Sequence, residues 1–169
     1  MTLLDPAEVD AAPLIALLRD RGQTVATAES LTAGLVTAVL TTVPGASAVV
    51  RGGLVVYATD LKASLAGVDP RLLAEHGAVH PDVARGLAEG ARERCGADWG
   101  IGLTGVAGPD PQDGVAPGTV HIAVTGPQHS GNSAIGRTLH VSGGREAVRQ
   151  ASVHAAIMLL SSVITGPTG

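Results

Sequence analysis

The sequence predicts an α/β protein: one layered domain built around a sheet of mixed strand direction. Three observations lead there. Helical spacing of apolar residues alternates with short β-branched runs over the first hundred residues. Three strand-like runs then follow one another, two of them joined by a loop suited to a hairpin. Finally, the chain has 169 residues, 45% hydrophobic and 15% charged, which is enough for one buried core and too apolar for disorder.

The elements follow in order. Residues 6–21 predict a helix, with Asp5-Pro6 or Asp10 as its start, Pro13 in its first turn and Gly22 as its stop. Residues 23–28 alternate like a strand, and 33–42 predict a helix closed by Pro44-Gly45. The run GGLVVYAT, 52–59, predicts the next strand, followed by short helical pieces at 60–65 and 70–75. A longer helix, 81–94, starts at Pro81 and stops before Gly96. Strands are expected at 98–104, 118–125 and 134–141, with GPQHSGNS joining the last two. The last helix, about 144–164, places Val148, Ala151, Ala155, Leu159 and Val163 on one face. No repeat or low-complexity linker divides the chain.

Composition excludes several functions. Phe is absent, and Tyr57 and Trp99 are the only aromatic residues, so the core must be built from Val, Leu, Ile and Ala. The formal net charge is −4, with no basic run and no stacking platform, which argues against nucleic-acid binding. Cys95 is alone, so neither an internal disulfide nor a cysteine metal cluster is expected. The start, MTLLDPAEVD, lacks the basic and apolar regions of a signal peptide. The longest uninterrupted apolar stretch, AAIMLL, is far short of the roughly 18 residues that span a membrane. A soluble, cytoplasmic protein is expected.

Several motifs carry candidate chemistry. Gly100, Gly102 and Gly105 have the spacing G-x-G-x-x-G, but they begin inside a strand and no helix follows. A dinucleotide fold needs that helix and an acid about 20 residues on, so this reading fails. What remains is a long loop, Gly105 to Gly118, stiffened by three prolines: either a solvated connection or a ligand cradle. His76 and His80 have a ligand-pair spacing, but Gly77 and Pro81 break the helix it needs, so no metal is expected.

Ser30 and Thr32 stand where a strand hands over to a helix, in TVATAESLTAG. Helix capping is their ordinary explanation. The same turn offers free N–H groups to a phosphate or an oxyanion, so a serine there can be nucleophile, cap or phosphate ligand. Lys62 is the only lysine and lies five residues after the only tyrosine, Tyr57. Unlike arginine, lysine can lose its proton when buried, which makes Lys62 a candidate base as well as a candidate solvated helix residue.

Taken together, ATAESLTAG, PGAS, GGLVVYATDLKASLAGV, EHGAVHPDVA, TGVAGPD, PGTVHIAV and GGREAVRQ resemble the CinA C-terminal domain family, in order, from about residue 11 to residue 163. Its members include bacterial nicotinamide-nucleotide amidases. The resemblance implies a compact three-layer α/β/α fold occupying 1–169 as a single domain, without the N-terminal nucleotide-hydrolase domain of longer relatives. It implies hydrolysis of the carboxamide of nicotinamide mononucleotide in pyridine-nucleotide salvage, with no cofactor or metal and with self-association into a homo-oligomer. Ser30 then stands at the nucleophile's position, Lys62 at that of its proton acceptor, with Tyr57 beside them. Thr32, Ser47, Thr104, Gly105 and Arg145 stand at positions of substrate contact. The chain departs from the pattern at Leu31 (commonly Cys), Ala33 (often Gly), His80 (commonly Ser), Thr104 (often Ser) and Gly144 (often Asp). Two other functions compete: a non-catalytic nucleotide-binding module, and an interaction protein of DNA uptake or repair, which the acidic balance disfavours.

Overall fold

The buried run Val25–Glu29 becomes β1, next to the middle of a five-stranded sheet ordered β2-β1-β3-β4-β5. The computed structural model describes residues 9–129 and 133–166. In chain order its elements are α1 (Ala12–Asp20), β1, α2 (Leu35–Thr41), a 3-10 turn (Ala46–Ala48), β2 (Val50–Val55), α3 (Thr59–Ser64), α4 (Pro70–His76), α5 (Pro81–Cys95), β3 (Trp99–Gly105), β4 (Thr119–Thr125), β5 (Ile135–His140) and α6 (Arg145–Thr165). β1 pairs in parallel with β2 and β3, whereas β3–β4 and β4–β5 are antiparallel. The sheet is therefore mixed, as expected.

Alternation along β1 divides the core into two layers. Val25 joins the larger apolar cluster, shared with α1, α2 and α6. Ala26 and Ala28 face the other side and pack with Val83, Leu87 and Ala91 of α5. Helices on both faces make the three-layer α/β/α arrangement.

The boundaries show where local signals gave way. α1 starts at Ala12, where the Asp10 carboxylate accepts from the Ala12 N–H at 3.0 Å; residues 6–8 of the expected helix lie outside the described residues. The strand expected at 52–59 runs instead from Val50 to Val55. Its two glycines are not turn residues. A Cβ at Gly53 would lie 2.3 Å from Thr37 Oγ1 and 2.6 Å from Thr27 Oγ1, so glycine lets α2 approach the sheet. α6 buries more than the expected stripe: Val153, Ala156, Ile157, Leu160 and Ile164 are also buried, because the helix packs on α1, α2, β3 and β4. It has the length and mean hydropathy (1.4) of a spanning helix, a property hidden from a search for uninterrupted apolar runs, and half of that window is buried.

The rejected dinucleotide fingerprint has a packing explanation. A Cβ on Gly100 would lie 1.9 Å from Ala88 O, and one on Gly102 would lie 2.3 Å from Ala84 O. The α5 backbone rests directly on β3 there. Gly100→Ala should therefore lower stability by about 1–3 kcal/mol through overpacking. The denaturation midpoint measures this, and an unchanged midpoint would remove the close-packing explanation.

Candidate active site

At the carboxyl end of β1 lies a carboxylate with no solvent contact. Glu29 is fully buried and accepts six hydrogen bonds, three at each oxygen. Oε1 takes Thr27 Oγ1 (3.0 Å), Thr37 N (2.9 Å) and Thr37 Oγ1 (3.0 Å). Oε2 takes Thr32 Oγ1 (2.7 Å), Gly34 N (2.9 Å) and Val36 N (3.1 Å). Glu29 thus supplies the cap of α2, whose first residue is six positions later. This corrects the expectation that the helix N-terminus next to Ser30 is free for an anion.

Between Glu29 and α2 the chain makes a tight turn. Ala33 and Gly34 have φ of +50° and +95°, the left-handed region that favours glycine. The Ser30 N–H is anchored to Leu103 O on β3 at 3.2 Å. Its hydroxyl has no hydrogen-bond partner among the described residues and remains accessible on a cavity of about 330 Å³. Leu31, Tyr57, Gly105, Gly108 and Arg145 also border that cavity. Ser30, Tyr57 and Gly105 lie at or just past the ends of the three parallel strands β1, β2 and β3, where open α/β sheets bind ligands.

Lys62 lies in α3 and is 1% exposed. Its Nζ donates to Val56 O (2.9 Å) and Tyr57 O (3.1 Å), tying α3 to the end of β2. Burial pushes the ammonium down from 10.5 to about 8, while the charges of Asp113 and then Asp60 oppose that shift. Asp113 belongs to the loop after β3, and its Oδ2 accepts from the Ala78 N–H at 3.0 Å. No hydrogen bond joins Ser30 to Lys62 among the described residues.

The remaining expected residues divide. Arg145, at the start of α6, reaches across the cavity mouth, donating to Tyr57 Oη at 2.9 Å and to Gly108 O at 3.1 Å. Tyr57 is 57% exposed, and its hydroxyl serves Arg145 while only its carbonyl meets Lys62. Tyr57, expected beside the serine and the lysine, thus meets Lys62 through its backbone alone. Gly105 borders the cavity; a Cβ there would lie 2.8 Å from Thr119 O. Thr32 and Thr104 do not offer their hydroxyls to a ligand, because Thr32 donates to Glu29 and the buried Thr104 donates to Ala78 O at 2.6 Å. Ser47 is exposed on the 3-10 turn before β2, at the opposite end of β1 from Ser30 and outside the cavity.

The two departures at helix starts have structural counterparts. His80 Nδ1 accepts from the Asp82 N–H at 3.2 Å, capping α5 as a serine would, and its ring stacks on His76 at 4.2 Å. Gly144 leaves α6 without a side-chain cap. Among the described residues no group of three or more His, Cys, Asp or Glu side chains could hold a metal ion. A second hollow, of about 120 Å³, lies at the other end of the sheet beside Trp99 and His129 and contains no nucleophile. The sequence reading missed Glu29 as an anchor, although a lone acid ending a buried strand was a signal. It also missed Arg149, one helical turn after Arg145, which donates to Leu31 O at 3.0 Å.

Three outcomes follow from this geometry. Glu29→Gln replaces an acceptor oxygen by an NH₂ facing three donors, so it should cost at least about 3 kcal/mol in chemical denaturation. Thr32→Ala should cost about 1–2 kcal/mol without weakening ligand binding. Ligand affinity falling more than stability would restore Thr32 as a contact. For Lys62, the only lysine provides a single ¹³Cε resonance for an NMR titration. Its midpoint should be about 8 and should fall further in Asp113→Asn. The unfolded chain binds more protons than the folded one between about 8 and 10.5, so the lysine's contribution to stability rises with pH across that window. A midpoint near 10.5 would mean that burial does not govern Lys62.

Comparison with known proteins agrees with this architecture. The family model of the CinA C-terminal domain matches residues 8–164. A CinA-like protein of Frankia casuarinae is 44% identical over 153 residues, 90% of this chain and 34% of that protein. A CinA-like protein of Anaeromyxobacter sp. (strain K) is 49% identical over 148 residues, 87% of this chain and 35% of that protein. The chain thus spans about a third of the length of these curated relatives. Among solved structures, the competence/damage inducible protein CihA from Agrobacterium tumefaciens superposes with a TM-score of 0.87 at 34% identity, covering 98% of this chain and 100% of that one. A CinA superfamily protein from Escherichia coli gives a TM-score of 0.84 at 28% identity, covering 95% and 93%. With a family match over nearly its whole length and relatives near half identity, the chain belongs to the CinA C-terminal domain family.

Proposed function

We propose that the cavity is the active site of a nicotinamide-nucleotide amidase, hydrolysing nicotinamide mononucleotide to nicotinate mononucleotide and ammonia. The observation that carries this reading is a serine hydroxyl on the lining of a cavity with no hydrogen-bond partner among the described residues, in a protein whose only lysine is buried, shifted toward neutrality and bonded to the carbonyl of the cavity-lining Tyr57. Such a pair suits acyl transfer from an amide. Ser30 Oγ attacks the carboxamide carbon as its proton passes to neutral Lys62, directly or through one water. The C–N bond then breaks, and the nitrogen leaves as ammonia with the proton returned by Lys62. Water, deprotonated by the same lysine, attacks the Ser30 ester and releases the carboxylate.

The cavity's charge suits the substrate's two ends. Arg145 offers a guanidinium to the phosphate at the exposed rim, and its present partners, Tyr57 Oη and Gly108 O, are neutral groups that a phosphate can outcompete. The pyridinium would lie toward Lys62, where a like charge lowers the lysine's proton affinity further.

The test is ammonia release from nicotinamide mononucleotide by the purified protein, with nicotinamide and the dinucleotide as controls. Ser30→Ala and Lys62→Arg should fold and lose turnover by several orders of magnitude, since arginine cannot act as a base. Arg145→Ala should chiefly raise KM. Below a pH of about 8, kcat/KM should fall about tenfold per unit as Lys62 takes up its proton. Ligand binding without ammonia release would favour a non-catalytic binding module, and a pH-independent rate would exclude Lys62 as the base.

A further inference from the structure

The loop between β3 and β4 forms one wall of the cavity, which Gly105, Val106, Ala107, Gly108, Asp110 and Gln112 border. Over residues 107–115, two hydrogen bonds tie this wall to the rest of the protein among the described residues. Arg145 donates to Gly108 O at 3.1 Å, and the Ala78 N–H donates to Asp113 Oδ2 at 3.0 Å. A phosphate competing for Arg145 removes the first tie. The second then holds alone.

The local backbone is shaped for that second contact. Asp113 and Gly114 have φ of +50° and +75°, and Gln112 and Val115 exchange backbone hydrogen bonds (3.1 and 2.8 Å) across them. These are the marks of a two-residue Asp-Gly hairpin turn, in which aspartate tolerates the left-handed conformation. Facing the turn, Gly77 leaves room for the carboxylate, because a Cβ there would lie 2.8 Å from Asp113 Oδ2. Buried Ala78 is gripped at both its polar groups, since its carbonyl accepts from Thr104 Oγ1 at 2.6 Å. The stretch from Thr104 to Asp113 is thus closed into a ring through a single residue. Asp113 itself does not border the cavity. At Lys62 burial dominates, and the seated Asp113 carboxylate is the charge that most opposes it.

We propose that Asp113 is a positioning residue for the nucleotide: its carboxylate clasps the loop to Ala78 and keeps that wall in place when Arg145 turns to the phosphate. This deepens the amidase reading and rests on it for the identity of the ligand. A loop without the clasp holds the binding geometry only part of the time, and apparent affinity falls by that fraction.

The test measures the Kd of nicotinamide mononucleotide by titration calorimetry for the parent chain, Asp113→Asn and Asp113→Gly. All three carry Ser30→Ala, so that turnover does not consume the ligand. Glycine suits a φ of +50°, so Asp113→Gly removes the carboxylate from an exposed turn and keeps the turn. Asparagine tolerates the same φ and still offers Ala78 an acceptor oxygen, without the charge. Kd should rise at least about tenfold in Asp113→Gly, the worth of one charge-assisted hydrogen bond. In Asp113→Asn it should stay within about threefold of the parent. For ammonia release with Ser30 restored, KM should follow the same order. The two variants should share one kcat, because both lack the charge near Lys62. An unchanged Kd in Asp113→Gly would overturn the proposal. So would an Asp113→Asn as weak as Asp113→Gly, since charge and not the clasp would then govern binding. Binding in the expected order without ammonia release from the wild type would overturn the amidase reading and support the clasp. No binding by the parent would overturn both.

Discussion

The fold of the site depends on the burial of Glu29. A carboxylate without solvent is tolerable only when its lone pairs are filled, and here six donors fill them. Those donors come from β1, from the turn and from the first residues of α2, so one side chain fixes the direction in which the chain leaves the sheet. The geometry leaves Ser30 between two anchors: Glu29 on one side and the bond to Leu103 O on the other. A serine so placed cannot relax into the cap position that its sequence context suggests. Its hydroxyl is left for the cavity because the carboxylate has already taken the helix.

The other site groups arrive by the same logic of parallel strand ends. β1, β2 and β3 run in one direction, so the residues after them collect at one edge of the sheet. Glycine packing makes that alignment possible: Gly100 and Gly102 let α5 lie against β3, and Gly53 lets α2 lie against β2. Where the sheet turns antiparallel, the long loop after Gly105 swings back over the cavity, and its Gly108 carbonyl meets Arg145. α6 then closes the site from the other layer, with Arg145 and Arg149 on successive turns.

Much of this was legible in the sequence because it is local. Every strand and helix expected from periodicity is present, with shifts of a few residues at the ends. Ser30 and Lys62 stood out through position and uniqueness. Misplaced residues were those whose partners are distant in the chain. Nothing near Thr104 announces that its hydroxyl will meet Ala78, 26 positions earlier. Arg149 meets Leu31 across 118 positions. Thr32 was misread differently: its partner Glu29 is three residues away, but a hydroxyl that donates to a buried acid and one that awaits a ligand look alike in sequence. The shift of β2 had a similar origin, since Gly52-Gly53 resembles a turn until α2 is seen to need the space.

Lys62 carries two opposed influences, and their balance suits the proposed acyl transfer. The carbonyls of Val56 and Tyr57 favour the ammonium, as do the charges of Asp113 and Asp60, whereas removal from water favours the amine. Were burial acting alone, the lysine would take a proton from serine poorly, being too weak a base. Were the acceptors dominant, it would hold its proton and never be ready for the first step. A value of about 8 lies between these limits. In the proposed reaction the same atom accepts a proton as the Ser30–carbon bond forms and returns it as the nitrogen leaves. A second titratable group at the nucleophile becomes unnecessary, which is consistent with a site whose hydroxyl of Tyr57 is engaged elsewhere, with Arg145.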